Sequence, residues 1–334
     1  MTQKSSPTMK DVAREAGVSL GTVSNVINGI TVRESSRRKV EEAIKKLNYQ
    51  VNSYARGLKM SRTGTITLII PTLNHPFFSE LAYEIEQQAY MNSRKLILCC
   101  SNGIAEKELE YLSLATQNKT DGIIALTYSD ISRQVPDNIP FVVFDRYFEN
   151  QQIPRIASDN YTGGIMAVNK LYELGCRNIA FIGFHSSFPG EADKRFDGYM
   201  SACRQLKLTP CILHEPDDTP VDPAIRNFIE KNIDPKTGST VFDGIFANTD
   251  YDACIVREVL ESLNIRVPEQ VQLIGFDGTK KFYAENEYYV STICQPLKEL
   301  ARKCVEMVIN ESEEILPSLT LLPVHYASGG TTRD

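Results

Sequence analysis

From residue 64 onward the chain alternates between short, uninterrupted apolar runs and amphipathic stretches, and few folds accept that alternation. The runs "TITLIIP", "KLILCC", "DGIIAL" and "IPFVVFD" are separated by helix-length segments near 76–92 and 105–117. The pattern then repeats as helix 161–174, "NIAFIG", helix 192–206, "FDGIFA", helix 250–263 and "VQLIGFD". A strand that is apolar at every position is covered on both faces, the mark of a parallel sheet with helices on either side. Two such series predict two doubly wound α/β lobes.

Ligands of open parallel sheets bind beyond the strand C-termini, so the polar residues there are the candidates. They are Asn74, with Phe77 and Phe78, in "PTLNHPFF"; Asp145 and Arg146 in "FVVFDR"; and Arg195 in "KRFDGY". Asn248 and Asp250 in "FANTDYDA", Asp277 in "GFDG" and Gln295 in "TICQP" complete the set. Carboxylates accept, arginines donate in a fork, amides do both and rings stack, which is the chemistry that recognises a polyol. Taken singly, an aspartate after a strand is a helix cap or a turn residue, Asp250 most of all because it heads a helix. The coincidence of several at equivalent strand ends outweighs that reading. His75 receives no role. A phosphate dianion among Asp145, Asp250 and Asp277 would be costly unless Arg146 and Arg195 both met it, which favours a free sugar.

The first sixty residues differ in kind. They carry eleven Lys/Arg against five Asp/Glu, whereas the chain as a whole has a net charge of −6. A basic head on an acidic body directs only the head toward a polyanion. In "TMKDVAREAGVSLGTVSNVINGITV", Thr8 and Asp11 have N-cap spacing and Val12, Ala13 and Ala16 form an apolar stripe. Gly17 ends that helix and Ser19 is placed to cap the next, whose Val23, Val26 and Ile27 face inward while Thr22, Ser24 and Asn25 point away. Asn28 and Gly29 end it. A third helix in "SSRRKVEEAIKKLNY" buries Val40, Ala43, Ile44 and Leu47, giving a helix-turn-helix unit.

On "MKDVAREAGVSLGTVSNVING" and "RRKVEEAIKKLNYQVNSYARGL", the chain resembles the LacI/GalR family of bacterial repressors, and the likeness runs through the body. "FDRYF", "SDNYTGG" and "KRFDGY" are similar to its ribose and sucrose/fructose members in particular. The resemblance implies a small all-α head (1–51), a hinge helix and linker (52–63) and a two-lobed body of the periplasmic sugar-binding fold (64–334). It implies three crossings between lobes, near 160, 293 and 320. The N-lobe would then hold about 64–160 and 294–320, and the C-lobe about 161–293 and 321–334. It further implies a homodimer on a palindromic operator, with Leu20, Gly21 and Asn25 reading base edges in the major groove and Thr22 and Ser24 on phosphates. Thr8, Ser19 and Asn28 belong to the same interface. The hinge residues Asn52, Ala55, Arg56, Leu58 and Lys59 would meet the central minor groove, with Leu58 as an apolar wedge that kinks the duplex. The chain departs from the family at Asn25, where arginine is common, at Gly21, where a larger polar residue is usual, and at Arg33, where a capping serine is usual. At Arg33, Ser35 or Glu34 is left to cap the third helix.

Other classes find less support. Asp145 and Asp277 suit a carboxylate pair for glycoside cleavage, but no nucleophile elbow, P-loop or dinucleotide fingerprint occurs, so no enzyme is expected. The eight cysteines have no C-x-x-C spacing, and neither metal nor cofactor is expected. A polar N-terminus and the absence of a long apolar run predict a cytoplasmic protein with no membrane partner, not a secreted binding protein. Control by a phosphorylated carrier protein or a phosphosugar is the alternative within the family.

Overall fold

The computed structural model describes residues 7–49, 63–148, 152–281, 284–310 and 316–334. It forms two compact units, Met1–Thr63 and Gly64–Asp334.

In the first unit, α1 (Met9–Ala16), α2 (Leu20–Ile27) and α3 (Glu34–Leu47) enclose a small core of Val12, Ala16, Val23, Val40 and Ala43. Thr8 and Asp11 close a reciprocal capping box, the Thr8 backbone N–H donating to Asp11 Oδ2 at 2.9 Å. Gly17 leaves α1 at φ +64°, a conformation that costs glycine little, and Ser19 Oγ caps α2 through the Thr22 N–H at 3.1 Å. The cap expected for α3 from Ser35 or Glu34 is not made. Helix α3 starts at Glu34 behind Arg33 with no side-chain cap, so only the Glu34 charge favours that end.

The second unit holds two six-stranded sheets. The first contains β1 (Thr65–Ile70), β2 (Lys95–Cys100), β3 (Gly122–Ala125), β4 (Phe141–Phe144), β5 (Arg155–Ser158) and β13 (Leu319–Leu322). Its order is β13-β5-β4-β3-β1-β2, all parallel. The second contains β6 (Ile179–His185), β7 (Cys211–Pro216), β8 (Gly244–Ala247), β9 (Gln272–Asp277), β12 (Ser291–Cys294) and β14 (His325–Ala327). Its order is β14-β12-β9-β8-β6-β7, with β14 alone antiparallel. Between β9 and β12 lies the short antiparallel pair β10 (Lys280–Lys281) and β11 (Ala284–Tyr288).

The chain leaves the first sheet after Ser158, returns after Cys294 and leaves again after Leu322. The second passage enters α10 (Leu297–Ile309), which buries Leu300, Ala301, Cys304 and Val305 in the first lobe. They pack there with Ile66, Leu68 and, from α4 (Pro76–Met91), Ile85. The first lobe is completed by α5 (Ala105–Gln117). The second is covered by α6 (Asn160–Glu173), α7 (Lys194–Leu206), α8 (Val221–Lys231) and α9 (Asp250–Ser262).

Helices α6 and α7 meet backbone to backbone. A Cβ on Gly164 would lie 2.3 Å from the Arg195 carbonyl oxygen, and one on Gly198 would lie 2.3 Å from the Tyr161 carbonyl oxygen. Backbone cannot rotate aside, so Gly164→Ala should cost roughly 3 kcal/mol, the upper part of the usual overpacking range. A denaturant titration checks this, and an unchanged midpoint would mean that the helices separate freely. The contact matters because it fixes where Arg195 starts.

Candidate functional site

Between the two lobes, at the C-terminal ends of both sheets, lies a cavity of about 190 Å³. From the first lobe come His75, Phe77, Phe78, Leu126 and Tyr128, together with Asp145 and Arg146, which follow β4. From the second come Phe184, Ser186, Asp193, Arg195, Asp217, Asn248, Thr249 and Asp277, with Gln295 at the second crossing. Eight of the ten expected effector residues are thereby brought together: Phe77, Phe78, Asp145, Arg146, Arg195, Asn248, Asp277 and Gln295.

Arg195 organises the floor. Its Nε donates to Asn160 Oδ1 at 2.7 Å, Nη1 donates to the Asn248 carbonyl at 2.7 Å, and Nη2 lies 3.4 Å from Asp277 Oδ1. The guanidinium sits 3.7 Å above the Phe276 ring, and both ion-pair side chains are only 5% exposed. Gln295 Nε2 donates to Asp277 Oδ1 at 2.8 Å, and its Oε1 accepts from Ser158 Oγ at 2.7 Å. Asn160 Nδ2 donates to the Ser158 carbonyl at 2.9 Å and, more weakly, to Asp145 Oδ1 at 3.4 Å. The network Ser158–Gln295–Asp277–Arg195–Asn160–Asp145 thus runs through two of the chain's crossings between lobes. A buried, hydrogen-bonded network of this kind has few alternative arrangements, and it spans both lobes.

The walls differ from the floor. Arg146 lies over Tyr128 at 4.2 Å and donates from Nη1 to the Phe188 carbonyl at 3.0 Å, while its Nε is buried with no protein partner. His75 packs against Phe78, ring centroids 5.1 Å apart, and its Nδ1 is likewise buried without one. Burial holds His75 below the ordinary imidazole range, so it faces the cavity neutral. Both residues line the cavity, so the two unsatisfied atoms lie in its wall. Asp145 and Asp277 stand on left-handed backbone at φ +62° and +128°, the second a region that side chains rarely occupy.

Asp145 keeps part of its surface toward the cavity but lies deep in the cleft. Burial pushes its carboxyl up to about 6, against the opposing pull of Arg146 and Arg195. The native state therefore holds a proton that the unfolded chain has released, and this contribution to stability is present below about pH 4 and lost as pH rises through 6. Asp145→Asn, which suits left-handed backbone, should remove that part of the pH dependence. Denaturant titrations at pH 4.5 and 7.5 check it: the wild type should lose about 2 kcal/mol of stability over that range that the variant does not lose. Identical pH profiles would place the Asp145 titration elsewhere.

Two expectations fail. Asn74 is exposed on the loop after β1, its N–H donating to Thr72 Oγ1 at 2.9 Å, and the turn it makes brings His75 to the cavity instead. Asp250 does not line the cavity and does not cap α9. Thr249 caps the helix, accepting from the Asp252 N–H at 3.0 Å, and Asp250 is 1% exposed behind it, Oδ2 accepting from the Thr279 N–H at 2.6 Å. Burial first, and Asp277 second, hold the Asp250 carboxyl well above the usual range. Burial likewise raises Asp277 although Arg195 is adjacent. The sequence reading missed His75, Tyr128 and Asn160. Of these, Asn160 carried a signal: it follows the helix-capping Asp159 directly after a buried strand.

In the first unit Leu20 is 43% exposed, and Gly21 is exposed beside it, an added Cβ meeting Ser19 Oγ at 3.7 Å. Thr22, Ser24 and Asn25 are partly exposed on α2, and Ser24 Oγ accepts from Asn28 Nδ2 at 3.3 Å. Thr8 is occupied by its capping box. Asn52, Ala55, Arg56, Leu58 and Lys59 lie outside the described residues.

Residues 8–52 match the family model "Bacterial regulatory proteins, lacI family", and residues 168–332 match "Periplasmic binding protein-like domain". A sucrose operon repressor of Pediococcus pentosaceus is 34% identical over 97% of this chain and 99% of its own. A ribose operon repressor of Halalkalibacterium halodurans is 34% identical over 92% and 91%. Among solved structures, a periplasmic binding protein/LacI transcriptional regulator from Alkaliphilus metalliredigens, complexed with D-xylulofuranose, is 29% identical with a TM-score of 0.68. It covers 81% of this chain and 100% of that one.

Proposed function

The chain belongs to the LacI family of bacterial regulatory proteins, and we propose that it is a repressor of a carbohydrate-utilisation operon, released from its operator by a free sugar bound between the lobes. Two subunits present α2 to half-sites related by a dyad, because a two-fold protein is matched by a palindromic site. Leu20 offers an apolar surface to a thymine methyl, and Asn25 carries the amide pattern that pairs with an adenine edge. Thr22 and Ser24 hold phosphates, which position the helix without reading sequence. Leu58 of each subunit enters the central minor groove, flanked by Arg56 and Lys59. Sugar closing the cleft shifts the lobes and withdraws the hinge.

The observation that carries the effector class is the cavity itself. Its walls set Arg146 and His75 beside the carboxylates of Asp145 and Asp277 and the rings of Phe77 and Phe78. Hydroxyls donate to carboxylates and accept from arginine, and a sugar face packs on rings. Four lining carboxylates, Asp145, Asp193, Asp217 and Asp277, stand against two arginines, which weighs against a phosphosugar. The relatives named for sucrose and ribose operons and the neighbour holding a furanose support the same class.

A thermal-shift panel of ribose, fructose, sucrose, glucose and xylulose, with the phosphates of the first four, tests the reading. A ligand at a hundred times its dissociation constant should stabilise the fold by about 2.7 kcal/mol. Stabilisation by phosphosugars alone would reverse the assignment.

A further inference from the structure

The cavity does not end at Tyr128. A second hollow of about 480 Å³, open to solvent, continues from it and shares Tyr128, Ser186 and Asp217 as a common border. Thr72, Asn102 and Gly103 line it from the loops after β1 and β2, and Ser187 lines it from the loop after β6. Both lobes therefore contribute at the mouth as they do at the floor.

From this geometry we infer that the effector is a neutral saccharide of two rings, its terminal ring in the inner cavity and its second ring in the outer hollow against Tyr128. The inference rests on the reading of the inner cavity as a sugar site. Its own support is the character of the outer hollow. Arg146 covers one face of the Tyr128 ring, and Gly103 lies beside the same residue, a Cβ there making ordinary contact at 3.8 Å with Tyr128 Cβ and Cγ. Gly103 stands at φ +69°, so the loop shape also favours a residue without a side chain. Hydroxyls of Thr72, Ser186 and Ser187, the Asn102 amide and the Asp217 carboxylate face the second ring with acceptors and weak donors. Among the described residues no arginine or lysine lines the hollow, which suits hydroxyls and not a phosphate. A ring there would touch the Thr72 and Asn102 loops of one lobe and the Ser187 and Asp217 loops of the other. The second ring would therefore add to the lobe closure that the first begins.

Isothermal titration of the full-length chain with sucrose, maltose and trehalose, and with glucose, fructose and ribose, tests this. The expected result is one disaccharide binding at least tenfold more tightly than any of the monosaccharides. Ser187→Trp, at an exposed position, should fill the hollow, remove that advantage and leave monosaccharide affinity within twofold. A monosaccharide that binds as tightly as every disaccharide, unaffected by Ser187→Trp, overturns the two-ring inference while the sugar reading stands. Binding of none of the six, with no response to any sugar of the thermal-shift panel, would remove the sugar reading, and this inference with it.

Discussion

Arg195→Ala should lose about 3–5 kcal/mol of stability at neutral pH, because it breaks a buried pair from one side and leaves the other charge behind. Asp277 would keep Gln295 as a donor but lose the guanidinium, Asn160 Oδ1 would lose its donor, and the Phe276 ring would lose its cover. Burial already raises Asp277 with Arg195 in place, and without it the carboxyl would rise further. An acid raised on folding contributes stability at low pH that disappears as pH increases. The variant's deficit should therefore shrink on acidification, whereas simple loss of packing would not depend on pH. Denaturant titrations of both proteins at pH 5 and 7.5 measure it. An equal deficit at the two values would mean that Asp277 is not the group left unpaired. The folded fraction of the variant should also fail to respond to sugar, since Arg195 joins the two lobes through Asn160 and Asp277.

The second large effect is expected in DNA binding. Leu58→Ala should weaken operator affinity by about 10–100-fold, corresponding to about 1.4–2.8 kcal/mol. The reason is that an apolar wedge holds a base step open, at a cost of a few kcal/mol repaid by contact with the bent duplex. Alanine is too short to hold the step, so the kink and the contacts that depend on it are lost together. Sugar affinity of the free protein should stay unchanged. Fluorescence anisotropy on a palindromic duplex selected from a random pool, beside calorimetry with the sugar, separates the two. Equal losses in both assays would make Leu58 a packing residue and remove the hinge assignment.

The sequence made legible those parts of the fold whose burial is uniform. Strands β1, β3, β4, β8 and β9 are covered on both faces, and their continuous apolar runs stood out. Strand β7 did not, because it lies at a sheet edge with Glu215 and Ile212 exposed, and "CILHEP" has neither a run nor an alternation. The two-residue arm β10 and the three-residue β14 are too short to show a period, and β13, at a sheet edge, has no fully buried residue. In the cleft, residues attached directly to a strand end were found, since the strand fixes where they point. Asn74 was misplaced and His75 overlooked because they lie several residues beyond β1, where the loop's own turn decides which side chain enters. Asp250 looked like a ligand or a cap by position, but the neighbouring Thr249 took the cap, and Asp250 was turned under the site toward Thr279.

The claim that ties these parts together is a coupling between sugar and operator, and one titration addresses it directly. The protein is bound to its selected palindromic duplex, and the sugar with the largest thermal shift is added while anisotropy is read. The expected result is a 5–150-fold rise in the operator dissociation constant, the range of couplings of about 1–3 kcal/mol. A sugar that binds the protein saturably yet leaves the operator dissociation constant unchanged would contradict the account, because the cleft and the DNA-binding head would then be independent.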